Sequence, residues 1–420
     1  MKKRILLVEP EFPVPTKSKN HKDFLPIGLL KIASYLRMNN TKVKLIRGTP
    51  GLSERGNIKR FKPDEIWITS LFTYWAIYVK QAVLYYKKMF PKTKVVVGGI
   101  YASLMPDHCK EYTGCNKVHI GVIAGAEKCF PSYDLITNTN PHPIDYQIIH
   151  TSRGCNRRCK FCGVWEIEPS FKFKKSIKEE IKYRNIVFYD NNILDNENIE
   201  NILQELISLK KTKEILWCES QSGFDGRILK KKPFLAKMIK DAGFRCPRIA
   251  WDWGYDQWAQ IKKQIDLFIA AGYASEDIYV FVIYNWNIPF VEMEKKRKKC
   301  WKWKVQIADC RYRPLTQTYD NYNPRIKGQT IKDYYIHKSP RWTDGLVRQF
   351  RRNVRMQNIC VRQGVSFYSR TFEKKIVGKR IQRKSNNIEN IVDKIKYFES
   401  KGIDYWFPDI RRSSFNKLSR

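Results

Sequence analysis

Short, continuous apolar runs alternate with longer amphipathic stretches along the first part of the chain. The runs at 4–8 (RILLV), 43–46 (VKLI), 65–69 (EIWIT) and 94–97 (KVVV) predict strands buried on both faces. Between them, 27–36 and about 74–90 carry apolar residues at helical spacing, and 9–26 is a Pro-rich loop. Strand, helix, strand with continuously apolar strands predicts a doubly wound parallel sheet. The fourth run ends in Gly98 and Gly99, where a sharp turn lets the backbone come close to whatever binds at the carboxyl edge of that sheet.

The same alternation resumes later. Strands are predicted at 146–149, 185–188, 214–218, 248–250, 279–283 and 304–307, with helices at 198–209, 233–242, 257–271 and 291–301, the first of them capped by Asp195. After a linker at 319–324, residues 342–363 predict a helix starting at Thr343 or Asp344, with a basic face of Arg348, Arg351, Arg352, Arg355 and Arg362. A second basic cluster follows at 374–384, then an amphipathic helix at 387–402 stopped by Gly402. This gives three parts: 1–143, a doubly wound sheet; 144–318, six strands with helices between; and 319–420, a basic, mainly helical extension.

Composition adds one unusual feature. Hydrophobic content of 43% and aromatic content of 14% are those of a folded chain. In 420 residues, 79 Lys and Arg stand against 41 Asp and Glu, a formal net charge of +38. Such a surplus favours a polyanionic partner, nucleic acid being the commonest, or else it reflects a compositional bias toward Lys, Asn and Ile. The basic helices suit a phosphate-tracking surface or a solvated lid. No long uncharged apolar stretch predicts a membrane span and the start does not read as a signal peptide, so a cytoplasmic protein is expected. Eleven cysteines, eight of them scattered singly, fit a reducing compartment better than a disulfide framework.

The other three cysteines are clustered. In TSRGCNRRCKFC, just after the predicted strand at 146–149, Cys155, Cys159 and Cys162 stand in a C-x3-C-x2-C pattern on a loop with a Gly and with Arg153, Arg157, Arg158 and Lys160. Three thiolates so close can turn toward one centre and ligate three irons of a cubane cluster, the cations lowering their pKa values and leaving the fourth iron open. A structural zinc site needs a fourth ligand, and no second pair follows at the usual spacing.

This triplet, with Phe161 before its last cysteine, resembles the motif of radical S-adenosylmethionine enzymes. The resemblance implies a [4Fe-4S] cluster, binding of S-adenosylmethionine at the open iron, one-electron cleavage to a 5'-deoxyadenosyl radical, and a reductant such as a flavodoxin or ferredoxin. It also implies a partial (β/α)6 TIM barrel for 144–318. The segments LPIGLLKIASYL (25–36), VVVGGIYASLMPD (95–107) and HIGVIAGAEKCFPSYD (119–134) resemble the Rossmann-like cobalamin-binding domain of one subgroup. The usual Gly-Glu-Gly-Glu turn there reads GVIAGAE, and the D-x-H-x-x-G motif is missing, so either cobalamin or a scaffold role remains open for that domain. The subgroup resemblance implies methylation of an unactivated carbon; a cobalamin-independent radical reaction and a nucleic-acid-binding protein with a structural cluster are the rivals.

In such barrels functional residues lie at the carboxyl ends of strands. By that resemblance Asp190 and Asn191 are candidates for the methionine ammonium, which a carboxylate or amide oxygen accepts well. Ser220 and Gln221 are candidates for the ribose or carboxylate, and Asp252, between Trp251 and Trp253, for the adenine side, as are Tyr284, Asn285 and Trp286. Cys310, in a DCRYRPL stretch similar to one in relatives, is the candidate catalytic thiol, against a packing role. The histidines at 21, 108, 119, 142 and 150 have no partner at metal spacing. The substrate is not legible.

Overall fold

The computed structural model describes residues 2–14, 25–136, 144–320 and 341–364. The expected basic cluster at 374–384, the helix at 387–402, the linker from 321 onward, His21 and His142 lie outside the described residues. The described chain separates into two compact α/β units, one of residues up to 222 with 313–320, the other of 223–312 with 341–364.

The first unit opens with β1 (Arg4–Glu9), α1 (Ile27–Met38), β2 (Lys42–Arg47), α2 (Leu52–Phe61), β3 (Glu65–Ser70), α3 (Ala76–Met89) and β4 (Lys94–Gly99). The short elements α4 (Ile100–Leu104), α5 (Pro106–Thr113), β5 (Lys117–Val118) and α6 (Ala124–Glu127) follow. All five strands are parallel, in the order β2-β1-β3-β4-β5. That is the order of flavodoxin-like doubly wound sheets. The continuous apolar runs have a direct cause. Leu6, Val8, Ile66 and Val95 bury on one face with Ile58, Val79 and Val83 of α2 and α3, whereas Ile5 and Leu7 bury on the other with Leu29, Leu30 and Ala33 of α1. Helix α2 escapes the sequence pattern because Ile58 is its one fully buried residue.

The same unit continues with β6 (Gln147–Ile149), β7 (Ser152–Arg153), α7 (Val164–Ile167), β8 (Lys172–Phe173), β9 (Asn185–Phe188), α8 (Ile199–Lys211) and β10 (Trp217–Ser220). Strands β10-β9-β6 form a parallel sheet, and β7 pairs with β8 antiparallel. Tyr146, Ile148 and Val187 share the core on the α1 side of the first sheet. Asp195 does not cap α8, contrary to expectation: Asn198 precedes the helix without a side-chain cap, and the Asp195 carboxylate accepts from Asn156 N at 3.3 Å instead.

The second unit holds α9 (Gly226–Lys231), α10 (Leu235–Asp241), β11 (Arg248–Ala250), α11 (Trp258–Ala270), β12 (Tyr279–Tyr284), α12 (Phe290–Lys302), β13 (Gln306–Arg311) and α13 (Asp344–Gln363). Strands β11-β12-β13 form a second three-stranded parallel sheet. Helix α13, capped by Thr343, which accepts from Leu346 N, is built into this unit. Val347, Phe350 and Val354 are buried, and the Asn358 amide both accepts from Ile307 N and donates to Ile307 O, satisfying the open edge of β13. Between α12 and α13, Glu294 pairs with Arg297, whose Nη1 donates to Gln357 Oε1 at 2.7 Å, while Asn353 Nδ2 donates to Glu294 at 3.2 Å. Every charged group in this buried cluster is met by a partner.

Candidate functional site

The three clustered cysteines lie on the loop that joins β7 to α7, beyond the carboxyl end of β6. All eleven cysteines are reduced thiols, and Cys155, Cys159 and Cys162 are half-buried, whereas Cys109, Cys115, Cys218, Cys300 and Cys360 are buried. Cys162 N donates to Cys159 O at 3.0 Å, which folds the C-x2-C half into a turn. Arg157 N donates to Cys155 Sγ at 3.3 Å.

What holds the loop is a set of carboxylates. Asp190, at the carboxyl end of β9, is fully buried, and its Oδ1 accepts from Thr151 N at 2.9 Å, Thr151 Oγ1 at 2.6 Å, Ser152 N at 2.6 Å and Ser152 Oγ at 2.8 Å. Its Oδ2 accepts from Thr151 N at 3.1 Å. Burial pushes this carboxyl up from its ordinary range, and the Thr151 and Ser152 donors pull it back. Asp190 therefore faces the chain just ahead of the cysteines. Two residues on, Glu168 takes Gly154 N on Oε2 at 2.6 Å and Arg153 Nη2 on Oε1 at 2.9 Å. Gly154 has φ +81°, and a Cβ there would come within 2.6 Å of Ser170 O, so glycine is required directly before Cys155. Asn191 Nδ2 donates weakly to Gly154 O at 3.5 Å and to Glu168 Oε2 at 3.4 Å, which also turns it to the loop.

Arg153 ties this loop to the first sheet: its Nε lies 3.2 Å from Glu127 Oε2 at the end of α6, and the buried Lys31 of α1 donates to Glu127 O at 3.3 Å. His150 is buried in the same cluster, edge-on to Tyr189 at 6.3 Å, and its Nδ1 has no hydrogen-bond partner. Burial, then the charges of Arg153, Lys31 and Lys174, hold it neutral, well below the usual histidine range. At the far end of the loop, a Cβ on Gly163 would sit 3.1 Å from Leu104 of α4, the helix that starts directly after Gly99.

The expected lowering of the thiol pKa values by neighbouring cations is not seen at Cys155. Partial burial raises it, Asp195 and Cys159 add to the rise, and the Arg157 N–H and charge oppose it. Among the described residues no three His, Cys, Asp or Glu side chains are grouped so that they could hold a metal ion. The donor set itself suits an iron-sulfur cluster: three thiols on one pinned loop, none in a disulfide, with a backbone N–H aimed at one sulfur.

The remaining candidates divide between the units. Ser220 and Gln221 are buried at the end of β10, where Gln221 N donates to Phe188 O at 3.0 Å and Gln221 Nε2 to Glu219 Oε1 at 2.8 Å. Gly98 and Gly99 end β4, and Gly99 has an internal reason to be glycine: φ is +101° and a Cβ would lie 2.2 Å from Ser70 O. Asp252, in the second unit, is pushed up to about 6 by burial, with Lys296 and Arg227 opposing. Lys296, lowered to about 8 by burial, donates to Trp251 O at 3.0 Å and to Trp253 O. Cys310 pairs in register with Ile283 and is exposed, yet closely enough surrounded that its thiol is pushed up to about 12, with Asp309 and Asp252 adding. It is a thiol, not a thiolate, at neutral pH.

Sequence reasoning missed Glu168, Glu127 and His150 as parts of this site. Glu168 stands six residues after the last cysteine in a polar loop, with no periodic signal, and Glu127 was visible only as the acidic residue of the GVIAGAE turn.

No protein-family model and no curated protein matches the chain. A solved structure similar to it is that of the apo, selenomethionine-labelled, cobalamin-dependent S-adenosylmethionine radical enzyme OxsB, at 14% identity and a TM-score of 0.47. The match covers 72% of this chain and 51% of that one, so the chain spans about half the length of that enzyme.

Proposed function

We propose that this chain is a radical S-adenosylmethionine enzyme whose Cys155, Cys159 and Cys162 hold a [4Fe-4S] cluster, and that it methylates an unactivated carbon with cobalamin as methyl carrier. The observation that carries this reading is the pinned loop: three half-buried thiols in C-x3-C-x2-C spacing, fixed at the end of a parallel strand by Asp190 and Glu168. When bound, the cluster supplies one electron to S-adenosylmethionine, giving methionine and a 5'-deoxyadenosyl radical that takes a hydrogen atom from substrate.

The chain's own part is placement and electrostatics. Asp190 and Glu168 fix the backbone on the amino-terminal side of Cys155, so that the loop loses little further entropy on binding metal. The Arg157 N–H to Cys155 Sγ withdraws charge from a ligating sulfur and favours the reduced state. Ser220 and Gln221 would orient S-adenosylmethionine from the end of β10. Exposed Ile120 and Val122, beyond β5, would offer an apolar bed for cobalamin at the carboxyl edge of the first sheet. A flavodoxin or ferredoxin would supply the electron.

One observation favours a cobalamin-independent variant: the Ser70 backbone requires glycine at 99, and Gly121 N donates to Ser103 Oγ at 2.9 Å, so these glycines have uses without a cofactor. The test is anaerobic reconstitution, dithionite reduction with S-adenosylmethionine, and assay of 5'-deoxyadenosine, with and without hydroxocobalamin. Deoxyadenosine from wild type and none from Cys159→Ala is expected, with cobalamin retained through gel filtration. Cleavage without retained cobalamin would leave the first sheet a scaffold; absence of cleavage would overturn the enzymatic reading.

A further inference from the structure

The outer face of the second unit has a composition that neither cluster nor sheet requires. Helix α12 carries Lys295, Lys296, Arg297, Lys298, Lys299 and Lys302 against Glu292 and Glu294, and α13 carries Arg348, Arg351, Arg352, Arg355 and Arg362 against Asp344 alone. Packing sorts them. Lys296 and Arg297 are buried, the latter on Glu294, Arg351 lies by Asp309, and Arg362 donates to Gln306. Because Met293, Lys296 and Cys300 of α12 and Val347, Phe350 and Val354 of α13 point inward, the residues at 295, 299 and 302 and at 348, 352 and 355 fall on the outward sides. Both sets repeat at i, i+4, i+7, which lines each up as a stripe about 10 Å long. Lys295, Lys302, Arg352 and Arg355 are exposed.

Aromatic rings are interleaved with these cations. Trp258, at the start of α11, is 39% exposed with Lys299 Nζ 3.9 Å from its ring centre, and Lys295 stands 5.8 Å over Tyr255. An exposed indole beside a cation stripe is a surface on which an unpaired base can stack while its phosphates meet lysine and arginine. A duplex hides its base faces and would use the charges alone.

We propose that the outward face of α12 and α13, with Trp258 at its margin, binds single-stranded nucleic acid. The test uses the full chain, a fluorescein-labelled 20-nucleotide single-stranded RNA and its duplex, with anisotropy read from 50 to 300 mM salt. Replacing Lys295, Lys299, Lys302, Arg352 and Arg355 by Gln should weaken single-strand binding more than tenfold and cut the salt slope by up to about 3.5, at roughly 0.7 per phosphate contact. The control replaces Lys59, Arg60, Lys62, Lys88 and Lys92 of the first unit, an equal loss of charge, and should change affinity less than threefold. W258A should weaken binding roughly tenfold at an unchanged salt slope, the mark of a lost stacking contact, and matters most if the multiple variant folds poorly. Equal losses from the two multiple variants would show attraction by net charge without a site and overturn the proposal. So would duplex bound as tightly as single strand with W258A neutral, or no binding by wild type at 100 mM salt.

Discussion

The sheets β10-β9-β6 and β11-β12-β13 are built alike, three parallel strands with polar residues at their carboxyl ends, yet they use those residues in opposite ways. In the first, Asp190 is spent on the chain itself, its Oδ1 accepting from Thr151 and Ser152 to fix the cysteine loop. In the second, Asp252 has counter-charges in Lys296 and Arg227 but is raised to about 6 by burial. A carboxylate saturated with donors is a structural part; one that burial holds near neutrality is available to a ligand. Position at a strand end does not separate the two roles, and hydrogen bonding does.

The largest effect should come from Asp190→Ala. It strands the Thr151 and Ser152 donors in a buried site, at about 1–3 kcal/mol per lost partner, so a total of at least about 3 kcal/mol is expected in urea unfolding of the metal-free chain. A loss under about 1 kcal/mol would break the contrast between the sheets.

Asp252→Asn should do the reverse. The folded carboxyl is raised from 3.8 to about 6, so between those values the folded chain binds more protons than the unfolded one, and stability falls as pH rises through that window. Removing the charge should therefore stabilise the chain by roughly 3 kcal/mol at pH 7 and by almost nothing at pH 3.5. A destabilised variant at pH 7 would mean that Asp252 is, like Asp190, a structural carboxylate.

Glu168→Gln keeps an acceptor for Gly154 N and loses the ion pair with Arg153, which is partly exposed; about 1 kcal/mol is expected from the same unfolding curves. Cys159→Ala should change metal-free stability least, by less than about 0.5 kcal/mol, because the thiol is half-buried on a loop. Its effect should appear in iron content and in S-adenosylmethionine cleavage. A loss of 2 kcal/mol or more would make that cysteine a core residue.

These contrasts also mark what could be read from the chain alone. Strands β9 and β11 fall where their apolar runs put them, and α10, α11 and α12 lie within two residues of expectation. Strands β10 and β13 begin later than predicted, and the cause is local: Lys213 and Lys304 take left-handed φ values of +62° and +56° on leaving α8 and α12, a turn usually signalled by glycine. The same two strands run on through Glu219–Ser220 and Asp309–Cys310, polar residues that pairing with β9 and β12 holds extended. The spacing of the cysteine triplet was legible, and so was its place on a loop after a strand. The roles of Asp190, Asn191 and Glu168 were not, because sequence places a carboxylate at a strand end without saying which way it turns. The basic character of α13 was legible too, but not that Asn358 and Gln357 build it into the second unit.

The proposed role of the loop from Cys155 to Cys162 is to hold an iron-sulfur cluster. It is tested most directly by counting iron, sulfide and zinc per chain after anaerobic reconstitution, for wild type and for the variant with Cys155, Cys159 and Cys162 all replaced by Ala. About four irons and four sulfides in wild type, with almost none in the variant, are expected. Zinc in place of iron, or a cluster that survives loss of all three cysteines, would contradict it.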